Sequence, residues 1–380
     1  MSELYELPDG WEWIEFKKVF DNPSSKPYQI SKSEYMEIGK FPIIDQGKKF
    51  IIGYTDNKEK LYDNESNCII FGDHTREIKY INFNFVIGAD GTKIFKEKDI
   101  TKYDLKYLYF QLLSKNIESL GYSRHFKLIK KMSFSIPPLQ EQKRIVSKLD
   151  SLFEKIDKAI ALHQQNMDEA DVFMGSVLNE VFEELEEKYN TTSISSVMKI
   201  NNKTLTPNDD EMYNYIGLEN IESNSGKLVN YIPSIGKDIK SSKVYFKKGM
   251  VLYGKLRPYL NKVWIAEFDG IATTEILPFF HINDNLNMKY VKYYFLSPKY
   301  LAKVMNNCSG ARMPRLTTKF IKSKEAYIPD TSLNIQQKTV TYLDSISKEL
   351  ETLKQTQKEK MQSLVVLKAS ILDQAFRGEL

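Results

Sequence analysis

The sequence has little cysteine and no long apolar run. Cys68 and Cys308 are its only cysteines and form no CxxC motif, so we expect no disulfide framework, as in proteins of a reducing cytosol. Because no run of about 18 apolar residues occurs, no membrane span is predicted. The first residues, Met1-Ser2-Glu3-Leu4, lack the apolar stretch of a signal peptide. These absences predict a cytoplasmic protein.

Patterns typical of catalytic sites are also missing. The four histidines, at 74, 125, 163 and 281, and the two cysteines show no zinc-binding spacing. No GxSxG motif occurs, and no glycine-rich loop suits S-adenosylmethionine. Residues 249–256 have the spacing of a phosphate-binding loop, but Leu256 replaces the Ser or Thr that would bind magnesium. We therefore predict a non-enzymatic chain with no catalytic residues, metal or cofactor of its own.

One group of residues near the start is similar to a nuclease carboxylate set. Asp9, Glu15 and Lys17 have the residue types that such a site uses. The gap between Asp9 and Glu15 is short, however, and the segment lacks the intervening strand that would bring both carboxylates onto one metal. A surface loop leading into a strand is the preferred interpretation, and a standalone nuclease remains an alternative hypothesis.

Length and composition indicate several globular domains. A chain of 380 residues is too long for one ordinary domain and suits two to four. Its hydrophobic content of 42%, including 12% aromatics, is enough for sizeable cores. The net charge of +4 is mild, so it permits nucleic-acid binding through local basic patches without requiring it.

The most informative feature is an internal repeat. The segment that begins Ile136-Pro137-Pro138-Leu139 has a second copy near Ile328-Pro329. From Leu139 onward, one constant shift of 194 relates the copies without a gap. It pairs Leu139 with Leu333, Gln142 with Gln336, Val146 with Val340, Leu149-Asp150 with Leu343-Asp344, Ser176 with Ser370, Leu178 with Leu372 and Phe182 with Phe376. Such a match indicates duplication.

Each copy has the pattern of one long helix. Proline precedes each copy, and no proline or glycine interrupts residues 139–174 or 331–377. Apolar residues recur at heptad spacing in the first copy and less strictly in the second. About 40 residues make a rod of roughly 60 Å, and the simplest way to bury both apolar stripes is an antiparallel coiled coil. His163 and Gln357 are equivalent and are expected to meet; the alternative is that each points to solvent.

The segments outside the rods follow one plan with little identity. Residues 41–44, 68–71 and 85–87 are strand-like, and residues 104–113 have the pattern of a short amphipathic helix. Gly72 and Gly88 lie sixteen residues apart, as do Gly254 and Gly270. The predicted fold is α+β, with globular domains at 1–137 and 189–330 separated by helical rods at 138–188 and 331–380, related by an internal pseudo-two-fold repeat.

Several motifs resemble the specificity subunits of type I restriction–modification systems. The resemblance covers the whole chain, although only the rod motifs and the opening segment are specific. These motifs are Leu7-Pro8-Asp9-Gly10-Trp11-Glu12-Trp13, the run from Ile136 through Leu149-Asp150, and the terminal run from Lys368 to Leu380. The second copy departs from the family pattern at Asp330-Thr331-Ser332 and Asn334-Ile335, after which the heptad spacing resumes.

The resemblance implies a non-catalytic DNA-recognition subunit. Each globular target recognition domain would read one half of a bipartite site in double-stranded DNA, and the rods would separate them and dock two methyltransferase (modification) subunits. Restriction subunits, which are translocating nucleases, would complete the complex. S-adenosylmethionine, ATP and Mg would belong to those partners. Rods of this length suit readers placed at successive major-groove faces, since one turn of DNA measures about 34 Å.

Loops that combine basic and aromatic residues are the candidate DNA contacts, because Arg–guanine and Lys–phosphate contacts supply readout and positioning. In the first domain these are His74, Arg76, Lys79, Lys93, Arg124, His125 and Lys127. In the second they are Lys255, Arg257, Tyr259, Lys262, Arg312, Arg315 and Lys319. Gln46 and Asn220 are weaker candidates for pairing with adenine. A coiled-coil scaffold without sequence-specific DNA reading is the main alternative hypothesis.

Overall fold

The computed structural model describes residues 5–63, 67–88, 90–121, 123–310 and 312–380. Parts of some predictions lie outside these residues. They are Met1, Ser2, Glu3 and Leu4 of the predicted start, Ala89 of a predicted turn, and Tyr122 and Ala311 of the two basic loops. Within the described ranges, no helix is both long and apolar enough to cross a membrane.

The chain forms two compact units. Unit 1 takes in the chain up to Leu162 and the terminal segment Glu359–Leu380, and unit 2 is His163–Lys358. Two long helices, Leu139–Lys188 and Leu333–Arg377, each contribute one half to each unit. They begin close to the predicted residues 138 and 331. The division into four consecutive parts stays a prediction, because each compact unit combines a globular part with portions of both helices.

Unit 1 contains a four-stranded antiparallel sheet and a three-stranded sheet. Its strands are β1 Glu12–Glu15, β2 Phe20–Asp21, β3 Phe41–Ile44, β4 Gly53–Thr55, β5 Cys68–Gly72, β6 Ile78–Ile81, β7 Val86–Ile87, β8 Thr92–Glu97 and β9 Ser133–Ile136. Its helices are α1 Phe16–Val19, α2 Leu105–Ser114, α3 Phe126–Ile129 and the first part of α4 Leu139–Lys188. The sheet orders are β2-β8-β5-β6 and β4-β3-β7, and β1 pairs with β9. The predicted strands and the predicted amphipathic helix are confirmed.

Unit 2 repeats this plan. Its strands are β10 Thr191–Ser193, β11 Met198–Ile200, β12 Thr204–Leu205, β13 Met212–Tyr213, β14 Tyr215–Ile216, β15 Ser234–Ile235, β16 Lys243–Phe246, β17 Val251–Gly254, β18 Val263–Ile265, β19 Gly270–Ala272, β20 Ile276–His281, β21 Cys308–Ser309, β22 Arg315–Leu316 and β23 Tyr327–Pro329. Its helices are α5 Ile194–Val197, α6 Met288–Leu296, α7 Pro298–Asn306, α8 Thr318–Ile321 and part of α9 Leu333–Arg377. The sheet β11-β20-β17-β18 matches β2-β8-β5-β6, and β14 pairs in parallel with β19 as β3 does with β7.

The core of each unit lies between its central sheet, a short helix and both long helices. In unit 1, β5 reads Cys-Ile-Ile-Phe-Gly and is buried along its whole length, as expected of a strand covered on both faces. Asp104 begins α2 by accepting the Tyr107 N–H at 2.9 Å. Phe376 of α9 packs edge-to-face on Tyr107. In unit 2, Phe182 of α4 packs in the same way on Tyr290 of α6.

The two long helices run antiparallel within each unit. In unit 1, Arg144 donates to the carbonyl of Leu380 at 2.7 Å, and Asp157 accepts from Lys368 at 2.8 Å. In unit 2, Asp171 pairs with Lys354, and His163 Nδ1 hydrogen-bonds Gln357 Oε1. The predicted meeting of the two equivalent polar residues is confirmed, and so is the antiparallel pairing.

Two buried glutamines attach the starts of the helices to their units. Gln142 Oε1 accepts the Asp104 N–H at 2.8 Å, and its Nε2 donates to Lys102 and Pro137 carbonyls. The Gln336 side chain makes the same three bonds with Asn287, Asn285 and Thr331. A charged pair follows about two helical turns later in each unit, with Lys106 on Asp150 at 2.7 Å and Lys289 on Asp344 at 3.0 Å. The repeat therefore preserves one method of attachment.

Candidate nucleic-acid interface

In both units a glycine ends a central strand and begins a turn. The Gly72 N–H, at the end of β5, donates to the Glu77 carbonyl at 2.9 Å, and the Gly254 N–H, at the end of β17, donates to the Lys262 carbonyl at 2.9 Å. The second turn is three residues longer, and its extra length is the 3-10 segment Pro258–Leu260. A side chain does not fit at Gly72, because a Cβ atom would lie 2.6 Å from the Gln46 carbonyl oxygen.

The residue after each glycine binds two further loops. The Asp73 N–H donates to the Gly91 carbonyl at 2.8 Å, and its carbonyl accepts the His125 N–H at 2.8 Å. In unit 2 the Lys255 N–H donates to Glu275 at 2.9 Å, and its carbonyl accepts from Leu316 at 2.9 Å. Three loops thus lie side by side in each unit. We call them the loop faces: residues 73–77, 90–93 and 123–127 in unit 1, and residues 255–262, 273–275 and 312–319 in unit 2.

Arginine is concentrated on the loop faces. The chain has seven arginines, and only Arg144 and Arg377 lie elsewhere, on the long helices. Arginine is well suited to guanine because its guanidinium donates two parallel hydrogen bonds to O6 and N7. The loop-face arginines are Arg76, Arg124, Arg257, Arg312 and Arg315.

On the unit 1 loop face, several of the predicted residues have exposed side chains. His74 lies at the tip of the turn, where its N–H donates to Gln46 Oε1 at 3.1 Å. Arg76 is exposed, with φ of 67°, and its Nη1 donates to the Ile117 carbonyl at 2.9 Å. Arg124 and Lys127 are exposed in and beside the third loop. Lys93 is 30% exposed, with its Nζ 4.0 Å from the Asp73 carboxylate. The structure thus brings these predicted residues together on one face.

Two of the predicted unit 1 residues are buried. Lys79 is 5% exposed, and its ammonium donates to the carbonyls of Asp45 and Lys49 at 2.9 and 2.7 Å. Burial lowers the pKa of Lys79, against the opposing charge of Asp45. His125 is fully buried, with Nδ1 against the Asp73 carbonyl at 2.9 Å and Nε2 accepting the Leu120 N–H at 2.9 Å. His125 holds two loops of the face together, and Lys79 binds carbonyls of the segment 45–49. Both side chains are engaged inside the unit, so we remove them from the set of DNA contacts.

On the unit 2 loop face, Arg257 has an unusual backbone. Its φ of 51° lies in the left-handed region, which costs a residue with a side chain free energy. Its N–H donates to the Pro314 carbonyl at 2.8 Å, which ties the turn to the third loop. Arg76 has a positive φ in the corresponding turn of unit 1. Strained residues of this kind cluster at functional sites, so the shared conformation marks both turns.

The side chains of the other predicted residues of unit 2 differ in their exposure and in whether they form hydrogen bonds within the unit. Tyr259 is 48% exposed, and Arg312 and Lys319 are exposed, with side chains that make no hydrogen bond or ion pair to any residue that the structure describes. Lys255 is half-buried beside them. Lys262 donates to the carbonyls of Leu218 and Ile221 at 2.6 and 2.7 Å, so its side chain positions the turn, and we remove it from the set of DNA contacts as well.

The sequence missed the acidic residues of the loop faces. Asp73 is 2% exposed and accepts the Phe126 N–H at 2.8 Å. Asp90 lies 3.9 Å from Arg124, and Glu275 accepts two hydrogen bonds from Arg315 at 3.2 Å. A search for basic residues could not find them. Their proximity in sequence to Gly72, Gly91 and β20 was the available signal.

The side-chain amides of Gln46 and Asn220, the two proposed adenine contacts, form hydrogen bonds with main-chain groups. Gln46 Nε2 donates to the Asp90 carbonyl at 2.8 Å. Asn220 Oδ1 accepts the Gly217 N–H at 2.9 Å, and its Nδ2 donates to the Asn230 carbonyl at 3.1 Å. Their hydrogen-bonding groups are engaged within loops, which favours a role in loop conformation.

The nuclease-like residues and the segment with phosphate-binding-loop spacing have ordinary structural positions. Glu15 and Lys17 form an exposed ion pair at 3.9 Å, and Asp9 lies in an exposed turn before β1. Among the described residues, no three His, Cys, Asp or Glu side chains are grouped as a metal site requires. Residues Val251–Gly254, within the spacing of a phosphate-binding loop, form strand β17.

Comparison with known proteins is consistent with this repeated architecture. The model of the type I restriction modification DNA specificity domain matches residues 8–166 and 186–361. The EcoDI specificity subunit of Escherichia coli is 28% identical over 184 residues, which are 48% of this chain and 40% of the relative. The EcoR124I/EcoR124II specificity subunit of Escherichia coli is 30% identical over 115 residues, 30% of this chain and 28% of the relative. The matches thus span less than half the length of these relatives.

A solved structure supports the fold. It concerns complex assembly and conformational transition of the type I R-M system, and the alignment covers 99% of this chain and 100% of the other at a TM-score of 0.68 and 18% identity. The family model covers most of the chain in two successive matches, one for each repeat of the α+β plan. The chain therefore belongs to the family of type I restriction modification DNA specificity domains.

Proposed function

We propose that this chain is the DNA-recognition subunit of a type I restriction–modification complex, and that each loop face reads one half of a bipartite site. The observation that carries the proposal is a pair of main-chain hydrogen bonds that recurs in both units, made by Asp73 in unit 1 and by Lys255 in unit 2. In each unit these bonds hold three loops together at the end of the central strand, which is β5 in unit 1 and β17 in unit 2. Five of the seven arginines lie on those loops.

The side chains on the two loop faces suit two different half-sites. Unit 1 offers His74, Arg76, Lys93, Arg124 and Lys127, whereas unit 2 offers Lys255, Arg257, Tyr259, Arg312, Arg315 and Lys319. Lysines at the edge of a face position the duplex through its phosphates, and arginines in the turns contact base edges. One backbone plan with two sets of side chains therefore gives an asymmetric site, which two identical domains could not read.

The proposal extends to the partners. Two methyltransferase subunits would dock on the helical rods, at 138–188 and 331–380, and restriction subunits would join them. The recognition domains are proposed at 1–137 and 189–330. The chain itself would be non-catalytic, with S-adenosylmethionine, ATP and Mg bound by the partners. Lys143 and Arg144, exposed at the start of α4, are proposed to face a methyltransferase subunit.

Methylation mapping tests this function. The chain is co-expressed with its modification subunit in cells without other adenine methylation, and methylated adenines are located by sequencing. A bipartite motif with a fixed spacer is expected. Replacing residues 1–137 with the same region of another family member should change one half only, and replacing residues 189–330 should change the other half.

Two outcomes would overturn the proposal. If the complex forms and methylates without any bipartite motif, the chain is a scaffold. If the purified chain alone cleaves DNA with a metal ion and loses this activity in Glu15→Ala, it is a nuclease. The exchange of residues 1–137 is the stricter test, since a scaffold would leave the choice of site unchanged.

A further inference from the structure

One ion pair on the unit 2 loop face joins two of its loops. The Nε and Nη2 atoms of Arg315 donate to Oε2 and Oε1 of Glu275, each at 3.2 Å. The backbone holds both partners: Glu275 accepts the Lys255 N–H, and Arg315 forms a β-bridge with Leu256. The side chains remain 53% and 25% exposed. A guanidinium is therefore held in one orientation while half of its surface faces solvent.

A corresponding pair exists in unit 1. Arg124 immediately precedes His125, just as Arg315 precedes Leu316, and the N–H groups of these following residues make the equivalent bonds to Asp73 and Lys255. Arg124 Nη2 lies 3.9 Å from the carboxylate of Asp90, the neighbour of Gly91. The equivalent arginine thus lies near an acid of the second loop in both units, although Asp90 is one residue before Gly91, the position that matches Glu275.

The presence of a carboxylate beside these arginines needs an explanation, because on electrostatic grounds it opposes the binding of DNA. A loop face that binds DNA lies near phosphates, and a carboxylate there weakens non-specific attraction. A surface ion pair also adds little stability, about 0–1 kcal/mol in typical cases. Both units nevertheless place an acid beside the equivalent arginine. Recognition of a base is a benefit that can offset this electrostatic cost.

The geometry leaves the hydrogen-bonding groups needed for one base pair. Glu275 occupies the Nε–Nη2 side of the Arg315 guanidinium, so the Nη1–Nη2 end retains N–H donors. Those donors fit the O6 and N7 acceptors of guanine. Each Glu275 oxygen keeps a lone pair that can accept from the N4 amino group of cytosine. These acceptors and this donor lie side by side on the major-groove edge of one G·C pair.

We propose that Arg315 and Glu275 together read a G·C base pair in the half-site of unit 2, with Arg315 on guanine and Glu275 on cytosine. The inference rests on the proposed function and assigns it one base pair. Arg257 and Arg312 flank the pair on the same face. In unit 1, Arg124 has the position of Arg315, and its acid, Asp90, comes from the residue before the match of Glu275 and lies 3.9 Å away, which leaves this arginine less constrained.

The test uses the full chain in complex with its modification subunit. The variants are Arg315→Ala, Arg315→Lys and Glu275→Gln, and Lys237→Ala removes a charge from the same unit outside the loop face. Binding is measured to duplexes that carry each base pair at each position of the site, and methylated adenines are mapped. Arg315→Lys keeps the charge but not the two-pronged geometry, and thermal unfolding checks that each variant folds.

We expect one G·C position of the unit 2 half-site to lose discrimination in Arg315→Ala and Arg315→Lys, by about 5- to 150-fold, the equivalent of about 1–3 kcal/mol for a bidentate contact. Glu275→Gln should lose discrimination at the same position while binding non-specific DNA more tightly, because a negative charge is removed. The unit 1 half-site and the Lys237→Ala complex should keep the wild-type motif.

Failure of the inference is distinguishable from failure of the function. If the wild-type complex has a bipartite motif and folded Arg315→Lys keeps every position, the pair is structural and the inference is wrong. The same conclusion follows if the position that relaxes is an A·T pair. A wild-type complex without any motif would instead overturn the proposed function, and this inference with it.

Discussion

Arg257 and Arg76 place a basic side chain on a backbone conformation that glycine would adopt more easily. Their φ angles of 51° and 67° lie in the left-handed region, which costs about 1–2 kcal/mol for a residue with a Cβ atom. Glycine could occupy either turn without that cost. Arginine at both positions indicates that the side chain contributes more than the backbone of the turn requires, although one guanidinium nitrogen of Arg76 also binds the Ile117 carbonyl. The proposed contact with DNA is such a contribution.

Arg257→Gly and Arg257→Ala separate the backbone from the side chain. Both variants should bind the cognate site less tightly than wild type, because the guanidinium is gone. Arg257→Gly should be more stable than Arg257→Ala by about 0.5–1 kcal/mol, because glycine adopts the left-handed conformation without the cost that alanine has. The greater backbone entropy that glycine loses on folding offsets part of this gain. Urea unfolding of the full chain measures the difference. Equal stabilities would show that the turn is not strained, and wild-type DNA binding by both would remove Arg257 from the interface.

At the scale of elements, the glutamine attachments explain why the rods repeat while the domains diverge. Gln142 and Gln336 are buried and each satisfies three backbone groups of its own unit. Leu149 and Leu343, one heptad further on, are fully buried. These residues recur at a shift of 194 because both units need the same helix start. The loop faces are free to differ, since their shared geometry comes from main-chain bonds.

Gln142→Ala should lower the free energy of unfolding by roughly 1–3 kcal/mol, the cost of leaving buried polar groups without partners. Gln336→Ala should cost a similar amount, because its contacts are the same. Gln140 is exposed on the first turn of the same helix, so Gln140→Ala is the matched control and should change stability by less than about 0.5 kcal/mol. Denaturant unfolding followed by circular dichroism gives all three values. A Gln142→Ala variant as stable as Gln140→Ala would contradict the role of the attachment.

The second charged attachment predicts a dependence of stability on pH. Burial raises the pKa of Asp344, but hydrogen bonds from Tyr293 and Lys289 outweigh it, and the pKa is lowered overall. A carboxyl whose pKa is lower in the folded state binds more protons when unfolded, so its contribution is complete above the unfolded pKa of about 3.9. That contribution is lost as the pH falls through the folded pKa.

The stability advantage of wild type over Asp344→Asn should therefore shrink as the pH is lowered from about 5 toward 3. Tyr293→Phe removes the hydroxyl that donates to Asp344 at 2.6 Å. The difference in unfolding free energy between Tyr293→Phe and the double variant Tyr293→Phe/Asp344→Asn should therefore depend less on pH than the difference between wild type and Asp344→Asn. Unfolding free energies at several pH values provide the comparison. A wild-type advantage that stays constant down to pH 3 would show that Asp344 keeps an ordinary pKa.

The periodicity of the sequence predicted the helices and the main strands, but not which loop residues of the two units correspond. The heptad seam, the antiparallel pairing of His163 with Gln357 and the main strands followed from spacing and apolar runs. The equal spacing of Gly72–Gly88 and Gly254–Gly270 was misleading. Gly254 does correspond to Gly72, but Thr273 corresponds to Gly88, because each N–H bonds a strand carbonyl, of Ile216 and Ile44 respectively.

The cause of this error is the longer turn of unit 2. Three additional residues between β17 and β18 move the counterpart of Gly88 from 270 to 273, and the glycine at 270 restores the spacing by coincidence. Burial was equally hard to predict for single polar residues. Lys79 and His125 lie in basic, aromatic stretches, and only the tertiary fold turns them inward to bind carbonyl groups. Local sequence cannot separate a lysine that faces solvent from one that satisfies two buried carbonyls.

At the scale of the whole molecule, each unit combines the start of one long helix with the end of the other. Unit 1 uses Leu149 of α4 and Phe376 of α9 in its core, whereas unit 2 uses Leu343 of α9 and Phe182 of α4. The repeat at 194 therefore gives both units the same set of helical contacts. Any partner that recognises the outer surface of one helical segment should find an equivalent surface on the other unit.

Such a surface exists outside the cores. Val172 and Phe173 on α4 are 71% and 54% exposed, and their equivalents at a shift of 194, Val366 and Leu367 on α9, are 63% and 47% exposed. Exposed apolar residues next to one another on a helix are typical of protein contacts. Because the pair recurs once in each copy, its proposed occupants are two copies of one chain, the methyltransferase subunit.

Phe173→Asp and Leu367→Asp should each remove one of the two proposed methyltransferase subunits, and the double variant should remove both. Charge placed in an apolar contact loses the burial energy and leaves an unpaired carboxylate. Ile38→Asp and Ile232→Asp, at highly exposed apolar positions of the globular parts, should leave the assembly intact. Native mass spectrometry of the complex counts the subunits. Retention of both subunits in the double variant would place the docking surface elsewhere on the helices, whereas loss of both in a single variant would mean that the two sites do not bind independently.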